Sequence, residues 1–146
     1  MAIEVKVVNT SNNSLPEYAT EGSSGMDVRA DLASPVTLQP LERKLVPTGL
    51  FMEIPIGYEA QVRPRSGLAI RHGITCLNTP GTIDADYRGE IKIVLINLSA
   101  EKQIINPGDR IAQLVIQKVE KINWDQVTVL TETVRNSGGF GSTGKN

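Results

Sequence analysis

Apolar residues in this chain recur in short, alternating, β-branched runs separated by turn signals, a rhythm that predicts an all-β domain. Strands are expected over 3–8, 43–52, 58–63, 90–97, 110–119 and 125–130. Pro35, Pro40, Pro47, Pro55-Ile56-Gly57, Asn78-Thr79-Pro80-Gly81 and Asn106-Pro107-Gly108-Asp109 each interrupt a ladder and turn the chain. Many short strands so punctuated imply a sandwich, a jelly roll or a closed barrel. The one stretch of helical character is 66–73, with Ser66 suited to the N-cap and Gly73 to the C-terminal stop. A chain of 146 residues fits one core. The expected organisation is therefore a single β domain over 1–131 and a flexible glycine-rich tail over 132–146.

Composition narrows the possible partners. The formal net charge is −1, so there is no broad basic face for nucleic acid. A polyanionic ligand must be met by a few placed cations, for which Arg65, Arg71, Arg88, Arg110 and Arg135 are the candidates. Cys76 is the only cysteine and His72 the only histidine, which excludes a disulfide framework and a zinc cluster built from those ligands within one chain. His72 reads as a surface or packing residue and Cys76 as a small core residue. The start, 1–8, alternates in polarity, and no later run reaches membrane-spanning length, so a cytoplasmic protein without a membrane partner is expected. Apolar strands with only 4% aromatics leave a domain of this size with faces to cover, and oligomerisation would cover them.

Four internal segments could carry chemistry. In Pro64-Arg65-Ser66-Gly67-Leu68-Ala69, a Ser-Gly pair opening a helical turn reads either as a capped surface turn or as a phosphate site with exposed N–H groups, a hydroxyl and a neutralising arginine. The turn-rich segment 78–90 crowds Asp84, Asp86 and Glu90. If strand spacing holds there, Asp84 and Asp86 share a face, one taking an arginine partner and the other facing water or substrate; otherwise they are solvated caps. In Gly108-Asp109-Arg110-Ile111-Ala112-Gln113-Leu114-Val115, strict alternation puts Arg110 and Gln113 on opposite faces, so they serve one site only if the strand twists or bulges. Gly25-Met26-Asp27-Val28-Arg29-Ala30 could hold Asp27 near a cation or simply cap a strand. At the end, Arg135 to Gly144 sets Phe140, Ser142 and Thr143 among glycines, which reads either as frayed chain or as a lid with a ring and anion-binding groups.

These segments, in this order, resemble the five motifs of the trimeric dUTP diphosphatase (dUTPase) family: 25–30, 65–69, 81–90, 108–115 and 135–144. The resemblance runs from about residue 22 to the end. Ser24 stands where the family often has Ala, and Asn136 where Gly is common. The resemblance implies a distorted jelly-roll, β-clip type subunit in a homotrimer whose active sites are shared between chains. It implies hydrolysis of dUTP to dUMP and pyrophosphate with Mg²⁺, which limits uracil in DNA and supplies dUMP for thymidylate synthesis. By similarity Asp84 is the general base, and Asp86 is structural, paired with an arginine. Asp27 acts on the metal only through water, and Arg110 orders the site by pairing with Asp27. Arg65, Ser66, Gly67 and Gln113 hold phosphate. The hairpin around Asn78, with backbone from Thr82, Ile83 and Lys92, reads uracil, and Tyr87 packs under the deoxyribose. From the tail, Phe140 lies over uracil, Arg135, Ser142 and Thr143 hold the terminal phosphates, and Gly138, Gly139 and Gly141 permit closure. A dCTP deaminase would share the fold and triphosphate site; the Ser66-Gly67 pair, Tyr87 and the Phe140 tail favour the diphosphatase.

Overall fold

The computed structural model describes residues 2–145. Met1 and Asn146, the outer ends of the two expected segments, lie outside them. The strands are β1 (Lys6–Asn9), β2 (Met26–Arg29), β3 (Val36–Leu38), β4 (Arg43–Glu53), β5 (Tyr58–Arg63), β6 (Ile74–Cys76), β7 (Gly81–Ile83), β8 (Ile91–Asn97), β9 (Gln103–Ile105) and β10 (Arg110–Lys118), with one helix, α1 (Ser66–His72). In β8, Ile91, Ile93, Leu95 and Asn97 are buried while Lys92 between them is exposed, the period-two pattern of a strand with one face on a core. Two four-stranded antiparallel sheets, ordered β1-β4-β8-β6 and β2-β10-β5-β7, bury Val28, Val46, Ala60, Ile93, Leu95 and Leu114. A third pair, β3-β9, adds Leu38 and Ile105 to the same core. The architecture is the expected all-β, jelly-roll-like subunit.

Three local expectations change. No strand forms over 125–130: β10 ends at Lys118, and residues 120–137 are exposed. That run of β-branched residues has no partner strand within the chain, and a lone strand cannot satisfy its own N–H and C=O groups. Arg65, not Ser66, holds the N-cap of α1, with φ −90° and ψ 129° and no side-chain capping bond, so Ser66 is the first helical residue. Gly73 does close the helix in the left-handed conformation, its N–H donating to Ala69 O at 3.1 Å. Finally, β7 stops at Ile83 and Asp84–Asp86 form a turn, so their side chains do not share a strand face.

Asn97 is the most fully enclosed polar side chain of the core, and every group of its amide is satisfied. Nδ2 donates to Leu38 O (2.9 Å) and Glu101 O (2.8 Å), while Oδ1 accepts from Ser99 N (2.9 Å) and Ser99 Oγ (2.7 Å). The side chain thus welds β3 to the turn after β8. Asn97→Leu keeps the branched shape but orphans Leu38 O and Ser99 N–H, and is expected to destabilise the domain by about 3 kcal/mol, read as a shift in the urea midpoint. An unchanged midpoint would show that the weld contributes nothing.

Candidate active site

A bulge in β10 decides the first constellation. Against β2, Arg110 pairs with Arg29 and Ala112 with Val28, so Ile111 is the extra residue. Ile111 and Ala112 are both buried, at 1% and 0% exposure, which resets the alternation and turns Arg110 and Gln113 to the same outward face as Asp27. The condition posed by the sequence is met by that single inserted residue.

Asp27 is the hub of this face. Its Oδ1 accepts from Arg65 Nε at 3.0 Å and Gln113 Nε2 at 3.4 Å, and its Oδ2 lies 3.4 Å from Arg110 Nη1. Arg65 Nη1 also donates to Arg110 O at 3.2 Å. One carboxylate therefore gathers two guanidiniums and an amide from strands and a helix start far apart in sequence. Gly25 fits beneath because an added Cβ would stand 3.1 Å from Val115 Cγ2 and 3.3 Å from Leu114 O. Ser66, exposed, and Gly67 follow Arg65 directly in the first turn of α1, where the leading N–H groups have no intrahelical acceptor. The face thus offers donors and positive charge to an anion. Among the described residues no three His, Cys, Asp or Glu side chains form a metal cage. With Asp27 already shared by two arginines, the donor set fits a hard cation ligated mostly by phosphate oxygens and water, with Asp27 reaching it through water.

The second constellation is the β6–β7–β8 region. Thr82, Ile83, Asp84, Tyr87, Glu90 and Lys92 line a cavity of ≈ 440 Å³. Asn78, exposed at its rim in sequence, packs on Gly81, where an added Cβ would approach its Nδ2 to 3.4 Å. The Asp84 carboxylate is exposed and takes no hydrogen bond or ion pair among the described residues, whereas its backbone carbonyl accepts from Tyr87 N at 3.1 Å. Tyr87 lies across Gly89 and donates its hydroxyl to Glu90 O at 2.8 Å. Asp86 is exposed and, among the described residues, has no arginine partner within the chain. Arg88, two residues on, donates to Ala85 O (2.7 Å) and Tyr87 O (3.2 Å). The Glu90 side chain turns inward from the same hairpin, its Oε1 accepting from Gly49 N at 3.0 Å.

The third constellation is the tail, and it stands apart from both. Residues 120–145 make no hydrogen bond or ion pair to the body among the described residues, and the ring of Phe140 is fully exposed. Local turns shape it: Gly138 N donates to Arg135 O (3.0 Å), Arg135 Nε to Gly138 O (2.7 Å), and Ser142 N to Gly139 O (3.0 Å). Asn136 has φ 45° and exchanges hydrogen bonds with Thr133, its Oδ1 accepting from Thr133 N (2.8 Å) and its N–H donating to Thr133 Oγ1 (2.9 Å). Left-handed backbone is where glycine is otherwise favoured and asparagine is the best tolerated side chain. His72 is exposed at the end of α1. Cys76 is buried in the core as expected, and burial pushes its thiol up to about 11, so it is no nucleophile at neutral pH.

Fold and constellations define a class: an all-β protein presenting a cationic, N–H-rich face to an anion, with a free carboxylate in a separate hairpin cavity. The dUTPase family model matches residues 11–144. A deoxyuridine 5'-triphosphate nucleotidohydrolase of Finegoldia magna is 60% identical over 142 residues, spanning 97% of this chain and 99% of the relative. Another, of Cytophaga hutchinsonii, is 59% identical over 145 residues, spanning 99% of this chain and 94% of the relative. Among solved structures, a mutant dUTPase of Staphylococcus bacteriophage 80alpha with dUpNHpp matches with a TM-score of 0.88 at 25% identity, covering 99% of this chain and 100% of that one. The chain belongs to the dUTPase family.

Proposed function

We propose that this protein hydrolyses dUTP to dUMP and pyrophosphate, and that Asp84 is the base that activates the water. The observation that carries the assignment of roles is the contrast between the two aspartates. Asp27 is tied on both oxygens, whereas Asp84 keeps its carboxylate free beside the cavity, as a group that must orient and deprotonate water requires. In this reading water attacks the α-phosphorus, its proton passes to Asp84, and the bond from that phosphorus to the oxygen bridging to the β-phosphorus breaks, releasing pyrophosphate. Ser66 and the Gly67 N–H steady the charge developing on that bridging oxygen, and Arg65 and Gln113 hold the phosphates. Mg²⁺, when bound to the triphosphate, withdraws charge from its oxygens. Arg110 keeps Asp27 in place on the face where that ion would sit.

Uracil differs from cytosine by an N3–H donor and an O4 acceptor, which fixed backbone groups of Thr82, Ile83 and Lys92, with the Asn78 hairpin, can complement. Tyr87 forms the floor under the deoxyribose, leaving no room for a 2′-hydroxyl. Tyr87→Ala is therefore expected to lower dUTP over UTP selectivity by on the order of tenfold or more, a larger effect than on the KM for dUTP. Selectivity equal to that of the parent would remove Tyr87 from this role.

The active form in this reading is a cytoplasmic homotrimer, each site combining the phosphate face of one subunit, the hairpin of a second and the tail of a third. Two features support it: among the described residues the tail makes no hydrogen bond or ion pair to either constellation of its own chain, and the arm before it exposes Ile122, Trp124, Val129 and Leu130. Residues 132–146 then act as a lid in trans. Incubation with dUTP, dCTP, UTP and dTTP plus Mg²⁺ should release pyrophosphate from dUTP far faster than from the others and no ammonia from any. Ammonia from dCTP would favour a deaminase, and no reaction a silent nucleotide-binding scaffold.

A further inference from the structure

Glu90 has no part in the reading above, yet its side chain is only 23% exposed and makes specific contacts. Its Oε1 accepts from Gly49 N at 3.0 Å, and its Oε2 lies 3.9 Å from Lys92 Nζ. Gly49 sits in the register shift of β4 between Pro47 and Leu50, at φ 70°, where an added Cβ would stand 2.8 Å from Ser11 and 2.9 Å from Asp31 Oδ2. Its carbonyl accepts from Thr10 N (2.8 Å), so this piece of β4 is held from several sides. The neighbouring Thr48 hydroxyl donates to Ile91 O at 2.6 Å, tying the next residue of the chain after Glu90 to the same bulge. Residue 90 is thus fastened to a rigid element by its carboxylate and by the residue that follows it.

The backbone carbonyl of that fastened residue is the acceptor of the Tyr87 hydroxyl. Tyr87 itself sits in a short exposed turn, held by its N–H on Asp84 O and by ring contact with Gly89. Without a fixed acceptor at position 90, the hydroxyl end of the ring loses its anchor. We propose that Glu90 is a positioning residue: by pinning the β4 bulge through the Gly49 N–H, it fixes the Glu90 carbonyl, hence the Tyr87 ring, and so sharpens discrimination of deoxyribose from ribose triphosphates. The inference rests on Tyr87 being the sugar floor.

The test is steady-state kinetics with dUTP and UTP on Glu90→Ala, Glu90→Gln, Tyr87→Phe and the double variant Glu90→Ala/Tyr87→Phe, alongside Tyr87→Ala. Glu90→Ala is expected to lower dUTP over UTP selectivity by roughly tenfold through the KM values, with kcat on dUTP changed by less than about threefold. Glu90→Gln retains an acceptor for the Gly49 N–H and should restore most of the selectivity. Tyr87→Phe, which removes only the bond to Glu90 O, should reproduce the loss, and the double variant should add little to either single change. Parent selectivity in Glu90→Ala, equal losses on both sugars, or full additivity in the double variant would each overturn the proposal. If Glu90→Ala does not fold, parent selectivity in Tyr87→Phe or a lost selectivity in a folded Glu90→Gln overturns it equally. Unchanged selectivity in Tyr87→Ala would instead sink the reading of the sugar floor itself.

Discussion

Replacing Asp84 by Asn is expected to lower kcat for dUTP by on the order of 10³-fold while the affinity for a non-hydrolysable dUTP analogue stays within about threefold of the parent. The amide keeps the size and one acceptor oxygen of the carboxylate, so a ligand entering the hairpin cavity meets nearly the same walls. What it lacks is basicity: it cannot take the proton of the attacking water. The fold should be indifferent to the change, because Asp84 contributes only its backbone carbonyl to the turn, through Tyr87 N, and its side chain is exposed and unpaired among the described residues. Calorimetric titration with the analogue, together with pyrophosphate release under single-turnover conditions, separates the two quantities. Near-parent turnover would refute the assignment of the base. A parallel loss of affinity would instead place Asp84 in ground-state binding. Asp27 offers the contrast, since its replacement would release Arg65, Arg110 and Gln113 together and must disturb binding as well.

Why one aspartate is tied and the other free was only half legible in the sequence. Alternation in β4, β5, β8 and β10 announced long strands, and the punctuation at Pro55-Ile56-Gly57 and Asn106-Pro107-Gly108-Asp109 separated them. Strands of three residues, such as β3, β7 and β9, are too short to show a period: β7 forms on the ladder that the longer β5 offers, and β3 and β9 pair only with each other. The run at 125–130 shows the converse: β-branched residues with no ladder to join remain coil in the single chain. The bulge at Ile111 has no composition signal of its own, since Ile111 and Ala112 are both plausible core residues, and only the pairing with β2 shows which residue is extra. Motif content marked Asp27, Arg65, Arg110 and Gln113 individually, but their convergence on one carboxylate joins positions 27 and 113 across two strands, a tertiary fact. The contact of Glu90 leaves no mark in the sequence, because its partner, the Gly49 N–H, is a backbone group like any other.

Deleting residues from Ser137 onward should cut kcat/KM for dUTP by on the order of 10²-fold or more, with the melting temperature of the body unchanged within about 2 °C and the proposed trimer intact. The two halves of that expectation have separate physical grounds. Stability should not move because the segment is exposed and has no hydrogen bond or ion pair to the body among the described residues, so its removal orphans nothing. Activity should fall because the tail carries a ring, Phe140, that can stack on a base, together with the hydroxyls of Ser142 and Thr143, and closing them over the triphosphate would exclude all but the attacking water from around the reacting phosphorus. Arg135 now bends back to Gly138 O, so closure must exchange that 2.7 Å bond for phosphate oxygens, a stronger acceptor for a guanidinium. Thr133 and Asn136 exchange two reciprocal bonds just before the deleted part, so the deletion leaves that turn whole. Mixing the tail-deleted protein with the Asp84→Asn protein tests whether the hairpin and the tail of a site come from different chains. If subunits exchange and each site draws its hairpin and tail from different chains, mixed trimers contain sites with both an intact Asp84 and an intact tail, and activity should reappear above that of either parent. A mixture no more active than its components, once exchange has been demonstrated by native mass spectrometry, would place the hairpin and the tail of each site on the same chain.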